Sequence, residues 1–190
     1  MRKRLIFTAA AFAALALAVP AALASSGPAV LDGKKITKLT LTATTTAQSN
    51  DAALVTDLAD GTDRMACQSP RCAVLPFVYK PAKGVKGDVA FSLAWGTPGS
   101  DFDLYVVSID KHGDRTQLAS CGASAGQSEK IFLTADNFKA GKTYGLLADF
   151  YRTPGETVTG TVQMPGTNTT STSFPAAVED ASGFKVNCGL

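Results

Sequence analysis

Large apolar residues alternate with small or polar ones along residues 89–95: Val89, Phe91, Leu93 and Trp95 against Ala90, Ser92 and Ala94. A period of two puts the large set on one face, which predicts a half-buried strand with Trp95 packed inside. Gly96-Thr97-Pro98-Gly99-Ser100 then turns the chain into DFDLYVVSID. There Phe102, Leu104 and Val106 share one face, while Asp101, Asp103, Tyr105 and Val107 share the other. A polar tip at residues 110–114 and a returning strand at residues 117–121 complete a hairpin around which the remaining strands are arranged.

The same punctuation recurs on both sides of this unit. Residues 36–46, ITKLTLTATTT, carry Ile36, Leu39 and Leu41 among threonines, as a strand with one exposed face would. Residues 48–65 have weak periodicity and leave a long loop and a short helix near residues 52–58 as open readings. Ala73-Val74-Leu75 and Phe77-Val78-Tyr79 flank Pro76, which predicts an edge position or a bulge because proline has no N–H for the ladder. Further strands are predicted at Ile131 and Leu133, at residues 143–151 and at residues 157–164. Short strands at such spacing, with little helical periodicity, predict an all-β antiparallel sandwich, jelly-roll-like, of roughly seven to nine strands. A closed barrel is the alternative.

The first residues change the picture of compartment. Met1-Arg2-Lys3-Arg4 precedes an apolar run over residues 5–19, Pro20 breaks it, and Ala22-Leu23-Ala24 has the small-x-small form of a signal-peptidase site. The run is shorter than the roughly 20 residues of a spanning helix. The expected division is a signal peptide at residues 1–24, a lead with one strand and a loop at residues 25–66, and the sandwich at residues 67–190. Removing residues 1–24 leaves 15 basic against 16 acidic residues, so the basic balance of the whole chain belongs to the signal. No basic cluster remains for nucleic acid or an anionic membrane. The expectation is a secreted monomer with no membrane insertion after cleavage.

All four cysteines, Cys67, Cys72, Cys121 and Cys188, lie in the exported part, as two disulfides would require. Of the three pairings, Cys67–Cys72 with Cys121–Cys188 is favoured: Gln-Ser-Pro-Arg is a turn-like spacer, and the second bridge would tie the C-terminus to a mid-chain strand. Loop entropy makes the long bridge worth about 4 kcal/mol and the short one about 2. Zinc is the weaker reading, since the paired C-x-x-C spacing is absent.

No set of residues specifies a reaction, and no catalytic residue is assigned. Asp101 and Asp103 fall two apart on one strand face, about 7 Å from each other. With Glu129 or Asp110 alongside they could supply oxygen ligands for calcium, the one cofactor in view. The competing reading, and the favoured one, makes Asp101 a turn cap and Asp103 an acceptor for backbone N–H groups. His112, the only histidine, sits in the hairpin tip, a poor place to hold a catalytic base, and no G-x-S-x-G occurs. Tyr105, Tyr144, Phe150 and Tyr151 could form a sugar platform only if alternation left them all exposed. Pro70-Arg71 within the Cys67–Cys72 loop suggests an inhibitor of trypsin-like proteases as a rival function. A carbohydrate-active enzyme needs only two carboxylates, and nothing here favours a particular pair.

At residues 100–107, SDFDLYVV, the chain resembles the bacterial pre-peptidase C-terminal domain family, secreted jelly-roll-like sandwiches that centre on a D-x-D-L-Y-V strand. The matches run in order through Gly113, Ser128-Glu129-Lys130-Ile131 and Ala140-Gly141-Lys142-Thr143-Tyr144, covering residues 72–164. The resemblance implies a non-catalytic module that assists secretion, substrate attachment or stability, here free-standing, with an extracellular polymer or protein as its unidentified partner. Clostridial collagen-binding domains look similar in architecture and bind calcium, although no matching ligand surface is visible here.

Overall fold

The alternation at residues 89–95 is realised in the computed structural model. Val89, Phe91 and Leu93 are fully buried and Trp95 is 6% exposed. Described are residues 27–44, 54–56, 65–67, 71–85, 88–121, 127–153, 155–164, 178–179 and 185–187. The expected signal segment at residues 1–24, Pro70 and Cys188 lie outside them.

In chain order the strands are β1 (Ala29–Leu31), β2 (Lys38–Thr44), β3 (Leu54–Thr56), β4 (Met65–Cys67), β5 (Cys72–Tyr79), β6 (Val89–Ala94) and β7 (Asp101–Ile109). They continue with β8 (Arg115–Cys121), β9 (Ser128–Leu133), β10 (Lys142–Arg152), β11 (Thr157–Gln163), β12 (Val178–Glu179) and β13 (Lys185–Asn187). Eight of these strands are six residues or longer, which agrees with the expected number; the other five are two or three residues long. One sheet has the order β1-β5-β10-β7-β8, the other β12-β13-β9-β6-β11-β2, and β3 pairs with β4 separately. All pairings are antiparallel except β1 with β5. The fold is an all-β sandwich.

Residues 25–66 are more than a lead. β1 joins the first sheet and β2 the second, so the sandwich begins well before residue 67. Asp32 makes the crossing between them: its Oδ1 accepts the N–H groups of Lys34, Lys35 and Ile36 at 2.8–2.9 Å. Those bonds, that from Ile36 first, hold its carboxyl below the usual value. In place of the helix weighed near residues 52–58, the described part holds strand β3. Pro76 lies within β5, but β1 reaches only to Phe77, so the missing N–H falls where β5 has no neighbour on that side.

The core lies between the two sheets. At one end Phe77, Phe91, Phe138, Tyr79 and Tyr144 form an aromatic cluster with centroids 4.9–6.4 Å apart. At the other end Trp95 packs on Phe102 at 5.1 Å, and Phe102 on Phe150 at 5.6 Å. Each large apolar side chain taken from water contributes about 1.5–3 kcal/mol, so these clusters supply much of the driving force. The sheets approach closely at Gly160, where a Cβ would lie 3.0 Å from Leu146 Cδ2 and 3.2 Å from Leu93 Cδ2. A side chain there would have to displace those leucine methyls by a few tenths of an ångström.

Candidate functional site

The candidate calcium ligands Asp101 and Asp103 lie on β7 and Glu129 on β9, in opposite sheets. Glu129 is fully buried on the inner side of β9, and its Oε2 accepts the Leu104 N–H at 2.7 Å. That bond joins the two sheets at the level where β8 ends opposite Leu104. Asp103 is on β7 opposite Asp149, which is 2% exposed, and Asp101 is opposite Arg152. Asp110 is at the far end of β7, where its Oδ1 accepts the N–H groups of His112 and Asp114. Among the described residues no group of three or more histidine, cysteine, aspartate or glutamate side chains is placed to hold a metal ion. The phenol of Tyr105 feels these carboxylates nonetheless: burial first, then Asp103, Asp149 and Glu129, push its pKa well above the usual value.

The aromatic residues do not gather into a platform. Tyr144 and Phe150 are buried, Tyr105 is half-buried, and Tyr151 is exposed at the end of β10. His112 is exposed in the hairpin tip, as expected of a solvated turn. Cys67 and Cys72 are bonded. Cys121 is disulfide-bonded too, and its expected partner Cys188 lies outside the described residues.

The short bridge carries β4 onto the outer face of the five-stranded sheet. There Cys72, Val107 and Leu147 are buried together, and Cys67, Val74, Tyr105 and Ile109 pack against them. Replacing both Cys67 and Cys72 by serine is expected to cost about 2 kcal/mol, because so short a loop removes little chain entropy. Urea unfolding would read this as a lower midpoint at unchanged slope. A loss several times larger would mean that this outer cluster collapses with the bridge.

On the opposite side of the molecule the six-stranded sheet turns outward a face that single-strand patterns do not reveal. Thr42 lies opposite Thr159, which lies opposite Ala94, and Ala94 opposite Ser128. In the next row Thr40, Thr161, Ser92 and Lys130 are aligned, and Thr44 faces Thr157. Alternation sends Leu39, Leu41, Val158 and Val162 into the core, leaving these positions on the outer side. The spacing is about 4.8 Å between strands and about 7 Å along them. Thr44 and Thr157 share a hydroxyl–hydroxyl hydrogen bond of 2.8 Å, and Ser92 and Thr161 one of 2.6 Å. Six threonines and two serines thus form a repeating grid of groups that can each donate and accept. The sequence signal was present in TLTAT and TVTGT, but only the pairing of β2 with β11 sets them side by side.

No protein-family model matches the chain, and no curated protein matches it. Among solved structures, the chain is similar to the Yersinia pseudotuberculosis-derived mitogen, with a TM-score of 0.38 and 10% sequence identity, over 72% of this chain and 91% of that one.

Proposed function

We propose that the protein is a secreted, non-catalytic β-sandwich module that attaches to an extracellular polysaccharide through its threonine face. The carrying observation is the hydroxyl grid of β2, β11 and β6, which offers paired donors and acceptors at a fixed repeat. A polymer with its own repeating hydroxyls can exchange its water bonds for such partners many times along one chain, so weak contacts add as avidity. The apolar signal-like start and the Cys67–Cys72 disulfide support export. The resemblance at residues 100–107 supports an accessory role. The protease-inhibitor reading is less well supported, because the Arg71 carbonyl accepts the Phe150 N–H at 3.0 Å and is not offered to an enzyme.

Retention on insoluble cellulose, chitin and bacterial cell wall tests this. A Thr42→Val, Thr159→Val, Thr161→Val variant removes hydroxyls from the grid while keeping β-branched side chains. At least one polymer should retain the wild-type chain, and the variant should bind it about tenfold more weakly at unchanged thermal midpoint. Wild-type chain that no polysaccharide retains, or equal retention of the two, would refute the assignment.

A further inference from the structure

A cavity of about 340 Å³ opens at the end of the sandwich that carries the 110–114 hairpin tip, with Ser108 and Leu118 in its wall and Asn137, Lys139, Lys142 and Tyr144 around it. Its size falls at the lower end of small-molecule sites, about 300–1,000 Å³, which suits one compact ligand.

Its two lysines are held by the fold. Lys142 N donates to Lys139 O at 3.1 Å, and Gly141 has φ +80°, so residues 139–142 make a type II turn with glycine at its third position. The Cα atoms at the ends of such a turn are less than about 7 Å apart, and both lysines line the same cavity. Two more bonds fix the turn: Gly141 N donates to Tyr79 O at 2.7 Å, and Lys139 N donates to the Tyr144 hydroxyl at 2.7 Å. The Tyr144 hydroxyl accepts there, so its own proton remains available for donation. Across the cavity stands one carboxylate, Asp110. Partial desolvation opposes its ionisation, but the N–H groups of His112 and Asp114 prevail and hold it below the usual value. Its Oδ1 accepts those two donors and closes the hairpin, and its single negative charge leaves the two lysines in excess. The lining therefore combines net positive charge, hydroxyl and amide groups, and apolar surface from Leu118 and Ile109.

We infer that this cavity binds a single acidic sugar, a pyranose bearing a carboxylate or a sulfate ester, with Lys139 and Lys142 gripping the anion and Leu118 and Ile109 lying along the sugar's C–H face. A neutral sugar would forgo both ammonium contacts. A bare inorganic anion would leave the apolar wall unused. The site stands apart from the threonine face and does not depend on it.

Heteronuclear NMR titration of the protein with glucuronate, glucose 6-sulfate, glucose and inorganic sulfate tests the inference. Both or either of the acidic sugars should shift Ser108, Leu118 and Tyr144 signals saturably, and which of the two binds tells carboxylate from sulfate. Glucose and inorganic sulfate should each bind at least tenfold more weakly. Lys139→Gln and Lys142→Gln should each weaken the acidic sugar about tenfold, as loss of one charged hydrogen bond would, and added salt should weaken it further. Both lysines are exposed, so the variants are expected to fold, and the thermal midpoint verifies that. The threonine-face variant should bind the acidic sugar as the wild type does. Equal affinity for glucose and glucuronate, sulfate binding as tightly as the sugars, no saturable shift, or lysine variants that bind normally would each overturn the inference.

Discussion

Glu129→Ala is expected to destabilise the protein by about 3–4 kcal/mol, and by the same amount in EDTA and in millimolar calcium. The carboxylate is fully buried and accepts the Leu104 N–H at 2.7 Å. Its removal strands a buried donor, at about 1–3 kcal/mol, and opens a cavity that adds to the loss. Glu129→Gln keeps an acceptor oxygen and should recover most of the stability. Equilibrium urea unfolding of the three proteins, with and without calcium, checks both parts. Were Glu129 a calcium ligand, calcium at a hundredfold its dissociation constant would raise wild-type stability by about 2.7 kcal/mol, and the alanine variant would lose that increment. A calcium-dependent gap between wild type and variant would therefore disprove the strand-anchoring role assigned to Glu129.

Phe91→Ala should cost about 3–5 kcal/mol, a large share of the 5–15 kcal/mol typical of a domain. The ring is fully buried and lies 6.1 Å from Phe77 and 6.2 Å from Phe138, so it joins strands of both sheets to the segment after the 3-10 turn at Ala135–Asn137. For a chain of this size the thermal midpoint should fall by roughly 10 °C. Thr42→Val, exposed on the outer side of β2, should change stability by no more than about 0.5 kcal/mol. A fall of only one or two degrees for Phe91→Ala would contradict the packing described for the aromatic cluster.

Much of the framework is legible from local pattern because alternation and turn chemistry are local. The strand faces at residues 89–95 and 101–107, the hairpin tip and the inward Trp95 all follow from a period of two and from Gly, Pro and Asp at the turns. The Cys67–Cys72 bridge is readable from a short spacer. Features that depend on long-range register are not. Residues 38–44 read as a strand, yet nothing near them announces a partner at residues 157–163, so their place in the sandwich and the threonine grid stay hidden. Glu129 reads from sequence as a candidate calcium ligand; its acceptor role depends on a backbone donor from the other sheet. The lysine pair at the end cavity is similar. A Lys-Ala-Gly-Lys turn is apparent from sequence, whereas the cavity wall beside it also needs Ser108 from β7 and Leu118 from β8.

The pairing of β2 with β11 also governs how the chain must fold. Among the described residues β2 is an edge strand paired with β11 alone, and Thr44 and Thr157 meet across a separation of 113 residues. Closing so long a loop costs entropy before any contact repays it, and the penalty grows with the logarithm of loop length. A topology of this kind has high contact order and folds on the slow side, in milliseconds to seconds, where helical bundles take microseconds to milliseconds. A chain emerging N-terminus first holds its TLTAT segment without a partner until the TVTGT segment has followed. During that interval an unpaired edge is open to a second molecule, and its run of threonines, low in hydrophobicity and headed by Lys38, is the kind of edge that resists association while it waits.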